Sequence, residues 1–500
     1  MTRKLFTYTP NWGGTTAQGL NDPTQLAMLN KAVTLGLTNV NLAFIAPLAR
    51  DANFSGPVTV PDSVNGSVAF TDIWSDLQPG RDWSTAPAVQ KYLAVENTDS
   101  IPGLNKPAPD PSYNIGGLPQ PPFAVAANTA CPAPIFEGHA NSYVGTYGVL
   151  KKIADGHPNL KAGISIGGWS RADALKYIAA DDKLMSNFIN SLKELQSIYG
   201  FKAIDLDWEF PGLPGNAAGG YNNWAQNYTT PNQLKSQTAA VPGQDKAGFT
   251  KIITKLHDEF PNVDITATVS PNLQAIANID FNAIKDKVSN ILLMGYDIGG
   301  IWDGHTSHNA PLYSGPSGNL SIDSAVTAMM AAGLPAEKLV LGVPFYGRAF
   351  YSVPDSAVGT NCPKSGNDSS ISYSGIKSTI LNQPNLAGYT RYWDDVAKVP
   401  YLYNATTKEW ISYDDTQSLG EKMKYMQDKG LGGVMSWQLY QDSSDLELTT
   451  FLANNLNPAK TQLSQAQTQA TAQAGEFLSE TYYGTDSSGE CECEYSVSWN

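Results

Sequence analysis

Eight short apolar runs recur along the chain: 4–10 (KLFTYTP), 39–46 (NVNLAFIA), 161–168 (KAGISIGG), 202–210 (KAIDLDWEF), 263–271 (VDITATVSP), 289–297 (SNILLMGYD), 338–346 (KLVLGVPFY) and 432–440 (GGVMSWQLY). Most are near-continuously apolar, the pattern of parallel strands covered on both faces. Helical segments fall between most of them. NDPTQLAMLNKAVTLG offers Asp22 as N-cap, Pro23 at the first helical position and Gly36 as stop. DDKLMSNFINSLKELQSIYG stops at Gly200, SIDSAVTAMMAAGLP runs from Ser321 to Gly333 and Pro335, and SLGEKMKYMQDKG runs from Ser418 to Gly430. Strands alternating with helices eight times predict an α/β fold of the (β/α)8 barrel type. An open doubly wound sheet is the alternative, but no Gly-x-Gly-x-x-Gly follows the first run to support it.

Two spacings are too long for simple connections. The second and third runs are separated by a stretch rich in Pro, Gly, Asn and Ser, and the seventh and eighth by a stretch with alternating segments such as LAGYTRYWDD and YLYNATTKEWISYDD. Loops of this length are usually functional or disordered. Both follow strands, so both belong on the C-terminal face of a barrel, where they would wall a groove. The expected organisation is a barrel from 1–346 and 410–457, with 47–145 as a long loop and 347–409 as a small α+β insertion. After Asn457 the composition turns to Gln, Ala, Thr and Ser, so 458–500 reads as a linker and tail. A solvated tail is the favoured reading; docking into a larger protein assembly is the alternative.

The 500 residues carry a formal charge of −14, which argues against nucleic acid or an anionic membrane surface as partner. No apolar run approaches the ~18–20 residues of a membrane span. A neutral polymer remains compatible, and the 11 Trp and 24 Tyr can fill cores or stack on a flat uncharged ligand. The four cysteines make neither a disulfide framework nor a zinc spacing, so no metal or cofactor is expected. Cys131 and Cys362 could pair across two loops; Cys491 and Cys493 are too close in the chain for an easy bridge. The N-terminus shows no basic-then-apolar signal region, which suggests an unconventional export route or a leader already removed.

The fourth run holds the chemistry. Successive strand side chains alternate between faces, so Asp205, Asp207 and Glu209 share one face while Ile204, Leu206, Trp208 and Phe210 take the other. Buried carboxylates are costly unless paired or used. An ion-pair network would need cations nearby, and the other strands offer only Lys4, Lys161, Lys202 and Lys338, all at strand starts. Stacked carboxylates raise one another's pKa, and burial pushes the same way. A carboxyl kept protonated near neutral pH is what a general acid requires. Glu209, outermost and longest, is assigned proton donation to a leaving oxygen; Asp207 holds the proton balance and Asp205 backs it from below.

Most glycoside cleavage needs a second carboxylate on the opposite face of the sugar ring. All three acids approach from one strand, so none is placed to be that nucleophile. Substrate assistance resolves this, with a 2-acetamido group attacking its own anomeric carbon.

AIDLDWEFPG resembles the Asp-x-x-Asp-x-Asp-x-Glu signature of the family 18 glycoside hydrolases, the chitinases. In the same order, SIGGW (165–169), MGYD (294–297), GVPFYGR (342–348) and GGVMSWQLYQD (432–442) resemble further strands of that family. The resemblance spans residues 4 to about 455 and is to the bacterial and fungal type with an α+β insertion, insect-toxin-complex chitinases among them. It implies a secreted enzyme that hydrolyses chitin or N-acetylglucosamine oligomers with retention. It further implies that Glu209 is the acid/base, that Asp207 bonds the acetamido nitrogen, and that Tyr296 donates to the acetamido oxygen. Trp437 would floor the subsite of the cleaved sugar, and Asp297, Met294 and Arg348 would line the pocket. For Trp437 and Met294 a plain core role competes. Tyr8, Trp12, Phe44, Trp169 and Trp302 are candidate stacking residues. The first Asp of the signature is Lys202 here, on the other strand face, where it should alter strand support rather than touch sugar. An endo-N-acetylglucosaminidase and a non-catalytic glycan-binding subunit are the alternatives.

Overall fold

The computed structural model describes residues 3–11, 23–47, 66–70, 145–169, 172, 174–212, 244–315, 320–365 and 369–456. Asp22, Trp12, Cys131, Cys491, Cys493, most of the 47–145 loop and the 458–500 tail lie outside the described residues.

The eight apolar runs form eight parallel strands: β1 (Lys4–Pro10), β2 (Asn39–Pro47), β4 (Lys161–Gly167), β5 (Ala203–Asp207), β6 (Asp264–Val269), β7 (Asn290–Leu293), β8 (Leu339–Pro344) and β14 (Gly433–Trp437). They pair in chain order, and β1 bonds both β2 and β14, so the sheet closes into a (β/α)8 barrel. The short β3 (Val68–Phe70) adds antiparallel to β2. Leu206, Ile204, Ile265, Ile291 and Leu341 point outward into one apolar layer shared with the surrounding helices. Inside the barrel a separate cluster of Phe6, Tyr8, Leu292, Val340 and Met435 fills the lumen, which makes it a packed core rather than a pore.

Helix ends follow local chemistry. Asp182–Tyr199 (hereafter α4; Pro23–Thr34, Gly145–Gly156 and Ala174–Ala180 are α1 to α3) is capped by Asp181 and stops at Gly200, whose φ of 61° is left-handed. Ser321 caps Ile322–Ala331, as its position predicts. The last long helix before β14 begins earlier than Ser418. It spans Thr416–Asp428 with Asp415 as cap, because the Asp415 carboxylate takes the Gln417 and Ser418 N–H groups while Ser418 returns a bond to the Asp415 N–H.

The stretch between β8 and β14 folds as a five-stranded antiparallel sheet: β9 (Tyr346–Phe350), β10 (Ser370–Ser372), β11 (Thr390–Asp394), β12 (Val399–Asn404) and β13 (Glu409–Ser412), in the order β10-β9-β13-β12-β11. The alternating segments of the sequence are its strands. The sheet runs slightly past the expected 347–409 limits, because β9 starts one residue after Phe345 and β13 ends at Ser412.

Six barrel strands end before their apolar runs do, and at β5 and β7 this leaves site residues beyond the strand. β5 ends at Asp207 rather than 210, and β7 at Leu293 rather than 297. At β5 the neighbouring strand has already turned away: β4 ends at Gly167, and the Gly168 N–H donates to the Asp207 carbonyl at 2.9 Å. Glu209 and the Met294–Asp297 segment are therefore carried by the first loop residues beyond the strands, at the mouth.

Candidate active site

The acidic row begins on the barrel floor. Asp205 is fully buried, and four hydroxyls from three other strands surround it. Tyr8 and Ser165 each donate at 2.7 Å to Oδ2, Thr266 donates at 2.7 Å to Oδ1, and Thr268 sits at 3.0 and 3.1 Å from the two oxygens. Strand register brings these groups together: Ser165 is level with Asp205 across β4–β5, and Thr266 across β5–β6. Burial raises the Asp205 pKa and the hydroxyl donors pull it back down.

Asp207 lies above it, 2% exposed, and its Oδ1 is buried with no hydrogen-bond partner. Its pKa is pushed well above the carboxylate range, first by burial and then by the charges of Glu209 and Asp205. Glu209, half-buried at the mouth, is pushed up to about 8 by burial and by the Asp297 charge. No lysine or arginine among the described residues is a cause of any of these shifts, so an ion-pair network does not account for the row. The four strand-start lysines stay at the far end: Lys4 bonds Asn290, Lys338 bonds the Val288 carbonyl, Lys161 pairs with Asp264, and Lys202 is exposed before β5.

The glycine pair of SIGGW has a steric reason. A Cβ on Gly167 would stand 2.3 Å from the Asp207 carbonyl oxygen, and one on Gly168 would stand 2.6 Å from the Phe44 ring; both have left-handed φ. Only glycine lets this turn pass so close to the strand that carries the acids.

Beyond β7, Tyr296 is buried and Asp297 is exposed with a φ of 53°, a conformation Asp tolerates better than most residues. The Tyr296 hydroxyl meets the Met435 Sδ at 3.8 Å, a weak acceptor. Burial first, then the four surrounding carboxylates, hold its phenol well above the ordinary pKa. Arg348 on β9 donates Nε at 2.9 Å and Nη2 at 2.6 Å to Asp297 Oδ1. Its guanidinium lies 5.2 Å from the ring centroids of both Trp302 and Tyr346. Met294 is half-buried and packs with the lumen cluster, a core position at the edge of the mouth.

Trp437, at the end of β14, stacks on Phe44 with centroids 5.7 Å apart and planes 19° apart. Tyr8 packs beneath Trp437 at 5.3 Å. Tyr8 is thus no open stacking face: it is 1% exposed, and its ring supports Trp437 while its hydroxyl serves Asp205. Trp169 and Trp302 stand on the rim, 48% and 42% exposed. Cis peptide bonds join Ala43 to Phe44, Glu209 to Phe210 and Trp437 to Gln438 around the same mouth.

Sequence reading overlooked Thr266, Thr268, Tyr346, Met435 and Asn309. The two threonines carried a usable signal, since DITATV places them at alternate positions of a strand that is otherwise apolar after Asp264. Among the described residues no group of three or more His, Cys, Asp or Glu side chains could hold a metal ion. Chemically, the arrangement offers a carboxyl at the mouth whose surroundings favour its protonated form, an acceptor below it lacking a donor, a buried phenol beyond β7, and an aromatic floor.

The family described as glycosyl hydrolases family 18 matches residues 4–442. Chitinase A1 of Niallia circulans is 33% identical over 325 residues, which cover 60% of this chain and 43% of that protein. Endochitinase 1 of Metarhizium robertsii is 30% identical over 431 residues, covering 80% and 89%. Among solved structures, chitinase ChiA74 from Bacillus thuringiensis superposes with a TM-score of 0.65 at 25% identity, covering 91% of this chain and 70% of that one. The Group IV chitinase of Ostrinia furnacalis, solved in complex with allosamidin, shares the fold with a TM-score of 0.60 at 21% identity, covering 92% and 99%.

Proposed function

This chain belongs to glycosyl hydrolase family 18, and from that premise we propose that it is a chitinase cleaving β-1,4-linked N-acetylglucosamine polymers with retention. The observation that carries the reading is the Asp207 carboxyl, buried directly below Glu209 with one oxygen lacking a donor. A buried acceptor without a partner costs on the order of 1–3 kcal/mol. The N–H of a 2-acetamido group resting on the Trp437 floor would satisfy it.

In the first step the Glu209 carboxyl gives its proton to the glycosidic oxygen as the C1–O bond breaks. The acetamido carbonyl oxygen of the same sugar forms the new bond to C1, giving an oxazolinium ion. Asp207 accepts the acetamido N–H on its unpartnered oxygen; the Tyr296 hydroxyl donates to the acetamido oxygen and orients it. In the second step the Glu209 carboxylate takes a proton from water, which attacks C1 from the face the leaving group left. The oxazoline opens and the configuration at C1 is retained. An insoluble polymer as substrate implies that the enzyme works outside the cell.

Substrate chemistry tests this directly. Fully acetylated chito-oligomers should be cleaved, and fully deacetylated ones of the same length should resist; comparable turnover of both would remove acetamide assistance. A pH profile adds a second check. Donation needs Glu209 protonated, so kcat/KM should be sustained through neutral pH and fall as pH rises through about 8. A profile already falling near pH 5 would mean that an ordinary carboxyl is titrating instead.

A further inference from the structure

Asn309 lies on the loop between β7 and β8, outside every motif singled out in the sequence, and is 1% exposed. Its contacts are unusually divided. Its Oδ1 accepts the Asp297 N–H at 2.9 Å, and its carbonyl accepts the next one, from Ile298, also at 2.9 Å. Its Nδ2 donates to the Tyr346 carbonyl at 3.3 Å, on β9 two residues before Arg348. Its own N–H donates at 2.9 Å to Ser412 Oγ on β13, and Ser412 is the residue paired with Arg348 in the β13–β9 ladder. One amide orientation satisfies both ends of the side chain: the oxygen faces an N–H and the nitrogen faces a carbonyl. The residue therefore touches the backbone on both sides of the Asp297–Arg348 ion pair, one side on the barrel and the other on the insertion sheet.

We propose that Asn309 is a positioning residue that sets the Asp297–Arg348 pair against Glu209 and so makes the insertion sheet part of the catalytic geometry. The proposal rests on the function assigned above. Asp297 sits in a left-handed conformation beyond the end of its strand, so no barrel ladder holds its N–H; Asn309 does. The same loop carries Trp302, over which the Arg348 guanidinium lies. The charged and titratable groups that act on Glu209 are Asp207 at the end of β5 and Tyr296 and Asp297 after β7; Tyr346 and Arg348 on β9 act on Asp297, and Asp205 acts on Asp207. Displacing Asp297 withdraws the negative charge that favours the protonated form of Glu209. A residue that merely closed a loop would affect thermal stability and leave the titration of Glu209 alone.

The test compares wild type, N309L, D297N and the double variant on chito-oligomers, reading Tm and the pH dependence of kcat/KM. Asparagine at 297 tolerates the left-handed backbone, and leucine at 309 keeps the branching pattern of the side chain while removing both amide contacts. N309L is expected to lower kcat about ten-fold or more and to move the alkaline limb to lower pH by about half a pH unit. In the D297N background it should move the limb no further, because the charge it positions is gone. A limb at the wild-type position in N309L, or an equal displacement in both backgrounds, overturns the proposal. If N309L does not fold, S412A removes only the acceptor of the Asn309 N–H and should move the limb in the same direction; an unmoved limb there overturns it equally. E209Q in the same assay separates the two levels. Full activity in E209Q removes the assigned function and this inference with it, whereas an inactive E209Q beside an unmoved N309L limb removes the inference alone.

Discussion

Glu209→Gln is expected to lower kcat on chito-oligomers by about 10²- to 10⁴-fold, while oligomer affinity measured by calorimetry stays near that of wild type. Glutamine keeps the size of the side chain and can still hydrogen-bond, so the half-buried mouth and the floor of Trp437, Phe44 and Tyr8 should persist. What glutamine cannot do is release a proton to the leaving oxygen and recover one from water. The native side chain is suited to that cycle because burial and the Asp297 charge hold its proton up to about pH 8. The loss should therefore fall on kcat rather than on binding, the signature of a group used only in the reaction. A glycan-binding subunit would show the opposite: no turnover in wild type and no response to the substitution. Substantial residual turnover in E209Q would also defeat the assignment, since no other described carboxyl combines partial exposure at the mouth with a raised pKa on this strand.

The second largest effect should come from Tyr296→Phe, at about 10²- to 10³-fold in kcat, the usual cost of removing one donor aimed at developing charge. In the structure the hydroxyl meets only the Met435 thioether among the described residues, so it can turn toward a ligand while giving up little. Its phenol is held well above the ordinary pKa by burial and the nearby carboxylates, so it remains a donor at any working pH. Phenylalanine retains the ring packing against Tyr346, with centroids 6.1 Å apart, and Tm should barely move. If Y296F turned over within a few-fold of wild type, the acetamido oxygen would have to be oriented by some other group. A rise in KM with unchanged kcat would instead assign Tyr296 to ground-state binding.

Much of this was legible in the chain itself. Apolar runs at regular spacing, with caps such as Ser321 and stops such as Gly200, are enough to specify eight covered strands and the helices between them, because period and capping are local properties. Alternation along a strand is local too, which is why the sequence alone puts Asp205, Asp207 and Glu209 on one face. Strand ends were less legible. Whether β5 continues past Asp207 depends on where β4 turns away, and that is set by a close approach between Gly168 and Asp207 that no window of either segment contains. Tyr8 shows the same limit, since an aromatic near a strand end reads alike whether it stacks on a ligand or braces a carboxylate.

Periodicity alone therefore specified the barrel, the acidic row and the direction in which it points. Folding supplied the rest: the hydroxyl cage around Asp205, the unpartnered oxygen of Asp207, the field of Asp297 on Glu209, and the tie from Asn309 to two sheets. Each of these depends on distances between residues tens to hundreds of positions apart, and desolvation and Coulomb interaction follow distance in space, not separation along the chain.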